Sequence, residues 1–345
     1  MIKVKKSLFV IAVSLFLFAG LSHAQKYGEG RIIAHGTNPQ FINDTLIAYL
    51  SSGHLTTVDV NGKNHEQISQ RSISGFLPLR DGKFVLWHHG KVGMESTRSI
   101  WMIDSTRRET EVVSNVITGR NSRTISVPVK LPDGTVGYYT QGAGTMSFTI
   151  IQKGLSEEPL KQWLMDIKPN SPNVAYGELW LTTVDRNESQ LVSSDCHYLP
   201  RIFPDGSQQC DNCLLAADCG GKLKLFMVDT SVHSWIIGDP NEKTDDTTVG
   251  GVEYKIVRFA TLASTARWSD NCEWIVTLYQ AAVLQYGWDD YDIISSDIQI
   301  LSVDTTVNIK IHTPDIMESN PSISSDGAVV CETEKGEIVI YRRKE

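Results

Sequence analysis

Apolar residues recur along this chain in short runs separated by small polar turns. Phe84-Val85-Leu86-Trp87, Trp274-Ile275-Val276 and Val329-Val330-Cys331 are typical. Runs this short, rich in β-branched and aromatic residues and bounded by Asp, Asn, Gly and Pro, predict strands rather than helices. No stretch keeps a helical apolar period. Asp-Gly and Asp-Asn pairs suit the positive φ of tight hairpin turns. The pattern predicts an all-β chain.

The runs fall into a recurring phrase: a Pro with apolar flanks, a polar turn, an apolar strand, and a further strand that often ends in Asp. Copies begin at Asn38-Pro39, Leu77-Pro78, Val127-Pro128, Ile167, Leu199-Pro200, Ala266 and Asn320-Pro321. The strand-ending acids are Asp59, Asp104, Asp185, Asp229 and Asp304. Units of about 46 residues with four short strands each indicate a single β-propeller of seven blades. The copy at Ile167 lacks Asp-Gly, so a six-bladed ring with one decorated blade is the alternative. The last copy supplies three strands before the chain stops. Gly30–Ala34 precedes the first copy and has strand composition, so it is expected to pair with the last blade and close the ring.

Pro200–Gly206, Arg267–Ile275 and Pro321–Gly327 resemble the repeats of TolB-like propellers. The resemblance spans nearly the whole chain after its first segment. It implies the fold and a bacterial envelope setting, while the motif residues themselves build turns and blade cores. Some TolB-like propellers hold a metal through several axial His, but no full His set aligns here.

The first 24 residues stand apart. Lys3, Lys5 and Lys6 precede the apolar Leu8–Leu21, and Ser22-His23-Ala24 places small residues at the positions a signal peptidase reads. The apolar run is shorter than the roughly 20 residues a membrane span needs. Residues 1–24 therefore read as a secretory signal peptide, with 25–345 as the propeller. The expected location is periplasmic or secreted, with no membrane span after cleavage. The net charge of −8 grows more negative once those lysines are removed, which argues against nucleic acid as a partner.

Cys196, Cys210, Cys213 and Cys219 cluster within one unit. In an exported chain disulfides are the expected state, with a zinc site or free thiols as alternatives. If Tyr198–Phe203 and Leu214–Ala217 form a hairpin, Cys196 meets Cys219 at one end and Cys210 meets Cys213 at the other. One metal does not reach all four. Cys331 reads as a buried small hydrophobe and Cys272 as a turn residue.

Common catalytic signatures are absent: no G-x-S-x-G, no phosphate loop, no G-x-G-x-x-G. His65-Glu66 opens like a zinc-protease motif, but Ser69 stands where the second His belongs. No cofactor or metal is expected. Two long links between second and third strands remain. Gln280–Ser296 carries Tyr286, Trp288, Asp289, Asp290, Tyr291 and Asp292, and His88–Arg98 carries His88 and His89. Exposed Trp and Tyr make contact surfaces for partners, and such links project from one axial face of a propeller. These residues form the candidate binding face. The acidic stretch Asp239–Asp246 reads as a loop. The expected function is a non-catalytic protein-interaction module of the bacterial envelope. The alternative is a carbohydrate-active enzyme or a glycan- or small-ligand-binding propeller using the same face.

Overall fold

The computed structural model describes residues 27–79, 82–118, 124–130, 136–142, 145–152, 163–169, 176–183, 189–197, 209–210, 213–216, 223–228, 232–238, 243–249, 252–261, 267–269, 271, 273–285, 291–302, 307–314 and 316–344. The expected signal segment, residues 1–24, lies outside them.

The described strands form seven sheets, and all strand pairings within them are antiparallel. The first sheet runs Thr37–Asn43, Leu46–Ser51, His54–Asp59, Glu66–Gln67, each strand bonded to the next. The second repeats this with Gly75–Pro78, Phe84–Val92, Glu95–Ile103 and Glu109–Thr118. In the third, Thr124–Ile125 and Val129–Lys130 share one edge of Val136–Gly142, and Thr145–Gln152 takes the other. The fourth has Trp163–Pro169, Tyr176–Thr183 and Ser189–His197; the fifth has Gln209–Cys210, Cys213–Ala216, Leu223–Val228 and Val232–Gly238. The sixth is wider. Arg267–Trp268, Trp274–Gln285, Tyr291–Ser302 and Asn308–Ile311 make its usual part, joined by Lys243–Val249 and Val252–Thr261.

The seventh sheet holds Glu318–Ile323, Val329–Thr333 and Glu337–Tyr341. Its outer strand comes from the other end of the chain. Arg31–His35 pairs antiparallel with Glu337–Tyr341, Arg31 opposite Ile340 and His35 opposite Glu337. This is the pairing expected of Gly30–Ala34, displaced by one residue.

Sheets stack face to face, and alternation within each strand divides its side chains between two neighbours. In the seventh sheet, Val329, Cys331, Val339 and Tyr341 pack with Val276, Ile298, Ile300 and Ile311 of the sixth. Val330, Ile338 and Ile340 turn the other way, onto Ile47, Tyr49 and Val58 of the first. The next register of the first sheet, Ala48 and Leu50, meets Phe76, Phe84 and Leu86 of the second. Val85 and Ile100 continue to Ile125, Val136 and Tyr138 of the third. Five sheets, sixth through third, thus pack in series through four apolar seams. Burial on both faces is why the middle strands read as unbroken apolar runs.

The recurring Asp and Asn have local tasks. Asp59 accepts N–H bonds from Asn61 and Lys63, both at 2.8 Å, and Asp104 accepts from Thr106 at 2.8 Å and Arg108 at 3.0 Å. The strand-ending Asp is therefore a turn clamp, and these hydrogen bonds hold both carboxyls below the usual carboxylate range. Asn38 and Asn320, each before Pro, adopt φ of 53° and 48° and bulge the first strands of their sheets.

Candidate functional site

Two hairpins outrun their sheets. In the second sheet, Gly75–Pro78 pairs only with residues 84–87, but the neighbouring strand continues to Val92 before turning at Gly93-Met94. In the sixth, Arg267–Trp268 pairs with Ile275 and Val276, yet Trp274–Gln285 runs on. Both expected links, His88–Arg98 and Gln280–Ser296, are thus largely strand rather than loop. In the second sheet the apolar run stops there although the ladder continues; in the sixth it runs on, with Ala281, Ala282 and Val283 buried.

Contacts place the ends of four successive sheets together. Ser296, at the base of the sixth-sheet hairpin, donates to the Glu318 carbonyl at 2.8 Å, where the seventh sheet begins. The Asn38 N–H of the first sheet donates to Glu332 of the seventh. Ile73, leading into the second sheet, donates its N–H to the carbonyl of Gly53, in the second-to-third turn of the first, at 2.8 Å. The two hairpins therefore rise from the same end, as expected.

His88 and His89 sit on the second-sheet hairpin, opposite Ser99 and Arg98. His88 Nδ1 is buried without a hydrogen-bond partner among the described residues. His89 is exposed, and desolvation, followed by the charges of Arg98 and His88, lowers its pKa. Tyr291 and Asp292 begin the returning strand of the sixth-sheet hairpin, opposite Leu284 and Val283, and Asp292 is exposed. Tyr286, Trp288, Asp289 and Asp290 lie outside the described residues. The seventh and first sheets stand between the two hairpins, so the structure puts the His pair and the backbone of Tyr291 and Asp292 on one end, in different sheets.

Among the cysteines, Cys210 and Cys213 stand opposite each other in paired strands. Cys213–Ala216 pairs with Gln209–Cys210 on one side and Leu223–Val228 on the other; the expected first strand Tyr198–Phe203 lies outside the described residues. Cys196 ends the fourth sheet, opposite Gly177. Cys219 and Cys272 are outside the described residues. Cys331 is fully buried and free, and burial raises its pKa.

At the seam of sheets six and seven lies a group that the sequence did not signal. Glu318 is 1% exposed. Its Oε1 accepts from the Tyr341 hydroxyl at 3.1 Å, and that hydroxyl lies 3.0 Å from Thr313 Oγ1. Its Oε2 is buried without a partner among the described residues. Burial pushes the carboxyl up from 4.5 to about 7; the Thr313 hydrogen bond pulls it back, Asp297 adds repulsion, and Tyr341 again pulls it down. Asp297 itself pairs with His312 Nδ1 at 2.8 Å.

A second polar tie spans three sheets. Arg267 of the sixth donates to Asn38 Oδ1 at 3.0 Å and to the Pro39 carbonyl at 3.2 Å, both in the first. Desolvation lowers its pKa to about 10, opposed by the charge of Glu332 from the seventh. This Arg belongs to the best-matching repeat phrases, but its hydrogen bonds show a tie between sheets.

No protein-family model matches the chain, and no curated protein matches it. Among solved structures, the WD40 β-propeller domain of Doa1 is similar at 12% identity and a TM-score of 0.43, covering 91% of this chain and 96% of that one. A chain of the mitotic checkpoint complex has 7% identity and a TM-score of 0.43, covering 94% and 98%. The tricorn protease has 13% identity and a TM-score of 0.35, and the match spans 86% of this chain but only 28% of the protease. The meandering sheets, stacked through apolar seams on both faces, define the class: an all-β chain of propeller type.

Proposed function

We propose that this chain is an exported, TolB-like propeller of seven blades, closed by Arg31–His35 on Glu337–Tyr341, that works as a protein-interaction module in a bacterial envelope. The observation that carries this reading is the pair of hairpins that outrun their sheets on one end. They carry exposed side chains, Lys91, Val92, Met94 and Asp292, beyond the packed sheets. Trp288 and Tyr291 are the proposed aromatic contacts, with Tyr286, Asp289, Asp290 and Asp292 around them and His88 and His89 on the opposite hairpin. Cys196–Cys219 and Cys210–Cys213 are the proposed bridges of the exported form.

The test is a pull-down from envelope extract with the chain and its Trp288→Ala/Tyr291→Ala variant. The variant is expected to lose its partner with an unchanged thermal midpoint. Undiminished capture by the variant refutes the assignment. Cell fractionation with N-terminal sequencing checks export; a mature chain starting at Gln25 is expected, and a cytoplasmic chain starting at Met1 refutes it.

A further inference from the structure

The two protruding hairpins differ in one respect. In the sixth sheet, the edge beyond Arg267–Trp268 is covered by the chain itself. Val252–Thr261 pairs antiparallel along it, from Tyr254 opposite Gln285 to Thr261 opposite Leu278. In the second sheet, the equivalent edge, His88–Val92, has no strand beside it among the described residues.

The register says which backbone groups this edge offers. Val92 opposes Glu95 across the Gly93-Met94 turn, with Gly93 at φ 64°. In such a hairpin the turn-flanking pair is hydrogen-bonded, and alternate residues then bond inward. Val92, Gly90 and His88 bond to Glu95–Ile103, while Lys91, His89 and Trp87 direct their backbone groups outward. Two observed bonds agree: Ser74 N–H donates to the Trp87 carbonyl at 2.8 Å, and His89 N–H donates to Ser74 Oγ at 2.9 Å. The Lys91 N–H and carbonyl and the His89 carbonyl have no partner among the described residues. At the tip, Val92 is 59% exposed and Met94 is completely exposed.

We propose that this edge takes up an extended strand of a partner protein, antiparallel, as Val252–Thr261 is taken up in the sixth sheet. The inference rests on the interaction-module reading and names its mode. Period-two alternation fixes the chemistry of the guest. On one face its side chains meet His88, Gly90 and Val92, and Val92, 59% exposed, suits an apolar residue. On the other they meet His89 and Lys91, with Arg98 behind His89 at 3.4 Å, and this face suits a carboxylate. The guest is thus an extended segment alternating apolar and acidic residues. A second copy of this chain fits less well: antiparallel pairing about Gly90 sets Lys91 of each copy against the other's basic edge.

The test uses the full chain without its signal segment and a phage-displayed library of random linear dodecapeptides. Peptides are selected on the wild type, and binding of each is then measured on three variants. In Lys91→Pro the outward N–H is lost without touching the hairpin's own bonds. It is expected to weaken binding about tenfold or more, the effect of one backbone hydrogen bond to a desolvated partner. Lys91→Arg is expected to stay near wild type and Lys91→Glu to weaken acidic peptides. Hydrogen exchange on the wild type gives a readout independent of variant folding: the Lys91 amide must become protected when peptide binds. Binders that ignore Lys91→Pro, or leave the Lys91 amide unprotected, overturn the edge proposal while sparing the interaction-module reading. A library that yields no binder overturns both. Concentration-dependent dimerisation abolished by Lys91→Pro assigns the edge to a second copy and overturns the partner.

Discussion

Glu318 makes the stability of this fold depend on pH in a direction opposite to that of most acids. Its carboxyl stands at about 7 in the folded chain, against 4.5 without burial. Below pH 4.5 it is protonated in both states and contributes no difference. Between 4.5 and about 7 the folded chain keeps a proton that the unfolded chain has released, so rising pH favours unfolding. Above about 7 the cost is complete. At about 1.4 kcal/mol per tenfold change it reaches about 3 kcal/mol. Glu318→Gln keeps an oxygen for the Tyr341 hydroxyl and cannot ionise. Urea unfolding of both proteins at pH 5 and pH 8 isolates the effect, because every other titrating group is common to the two. The difference in unfolding free energy should shift by about 3 kcal/mol in favour of the variant between those pH values. In a thermal scan this is about 4–5 °C for a chain of this size. Parallel pH profiles of the two proteins refute the reasoning, and with it the burial of an ionisable Glu318 at this seam.

Other outcomes follow from the seams and turns. Ile340→Ala opens a cavity between the seventh and first sheets, where Ile340 is 2% exposed, and should cost about 2–4 kcal/mol in urea unfolding. Ile32→Ala, in the strand paired with it but 51% exposed, should cost under about 0.5 kcal/mol in the same assay. Gly75→Ala sets a methyl against the Trp87 ring and should destabilise by about 1–3 kcal/mol, with a change in near-ultraviolet circular dichroism from the displaced Trp. Intact-mass measurement of the protein purified without reductant, before and after reduction, should show the gain of four hydrogens expected for the two proposed bridges; an unchanged mass excludes them.

The parts of this fold that the sequence announces are those in which one side-chain pattern has one cause. Phe84-Val85-Leu86 is apolar throughout because sheets lie on both sides of it, and the Asp of Asp59 and Asp104 recurs because each clamps a turn. The second-sheet link did not read as strand because a strand that leaves the stack keeps its ladder but loses its apolar code. His88–Val92 illustrates this. Lys243–Val249 is a further instance: its Lys-Thr-Asp-Asp looks like a solvated loop, yet it is an edge strand paired with Val252–Thr261. Charged side chains are what an edge strand uses to discourage further pairing. Glu318 carried no local signal. Its burial comes from Tyr341 and the returning sixth sheet, and nothing in the neighbouring Glu-Ser-Asn-Pro distinguishes it from an exposed acid.

The strand Arg31–His35 also sets an order of events. Its one strand partner among the described residues, Glu337–Tyr341, lies at the far end of the chain, and the Tyr27 hydroxyl meets the Gly327 carbonyl across 300 residues. Synthesis at about 5–20 residues per second separates the two by about 15–60 s. During that time Ile33 and Ala34, buried in the finished molecule, have no sheet to join. Bringing such distant segments together costs about 5 kcal/mol of chain entropy from the length-dependent part alone, recovered only when the seventh sheet forms. That sheet is therefore the last to assemble, and the earliest-made strand is the last to be placed. A circular permutant that carries residues 27–36 directly after Tyr341, through a short linker, makes the same pairing local and should refold faster.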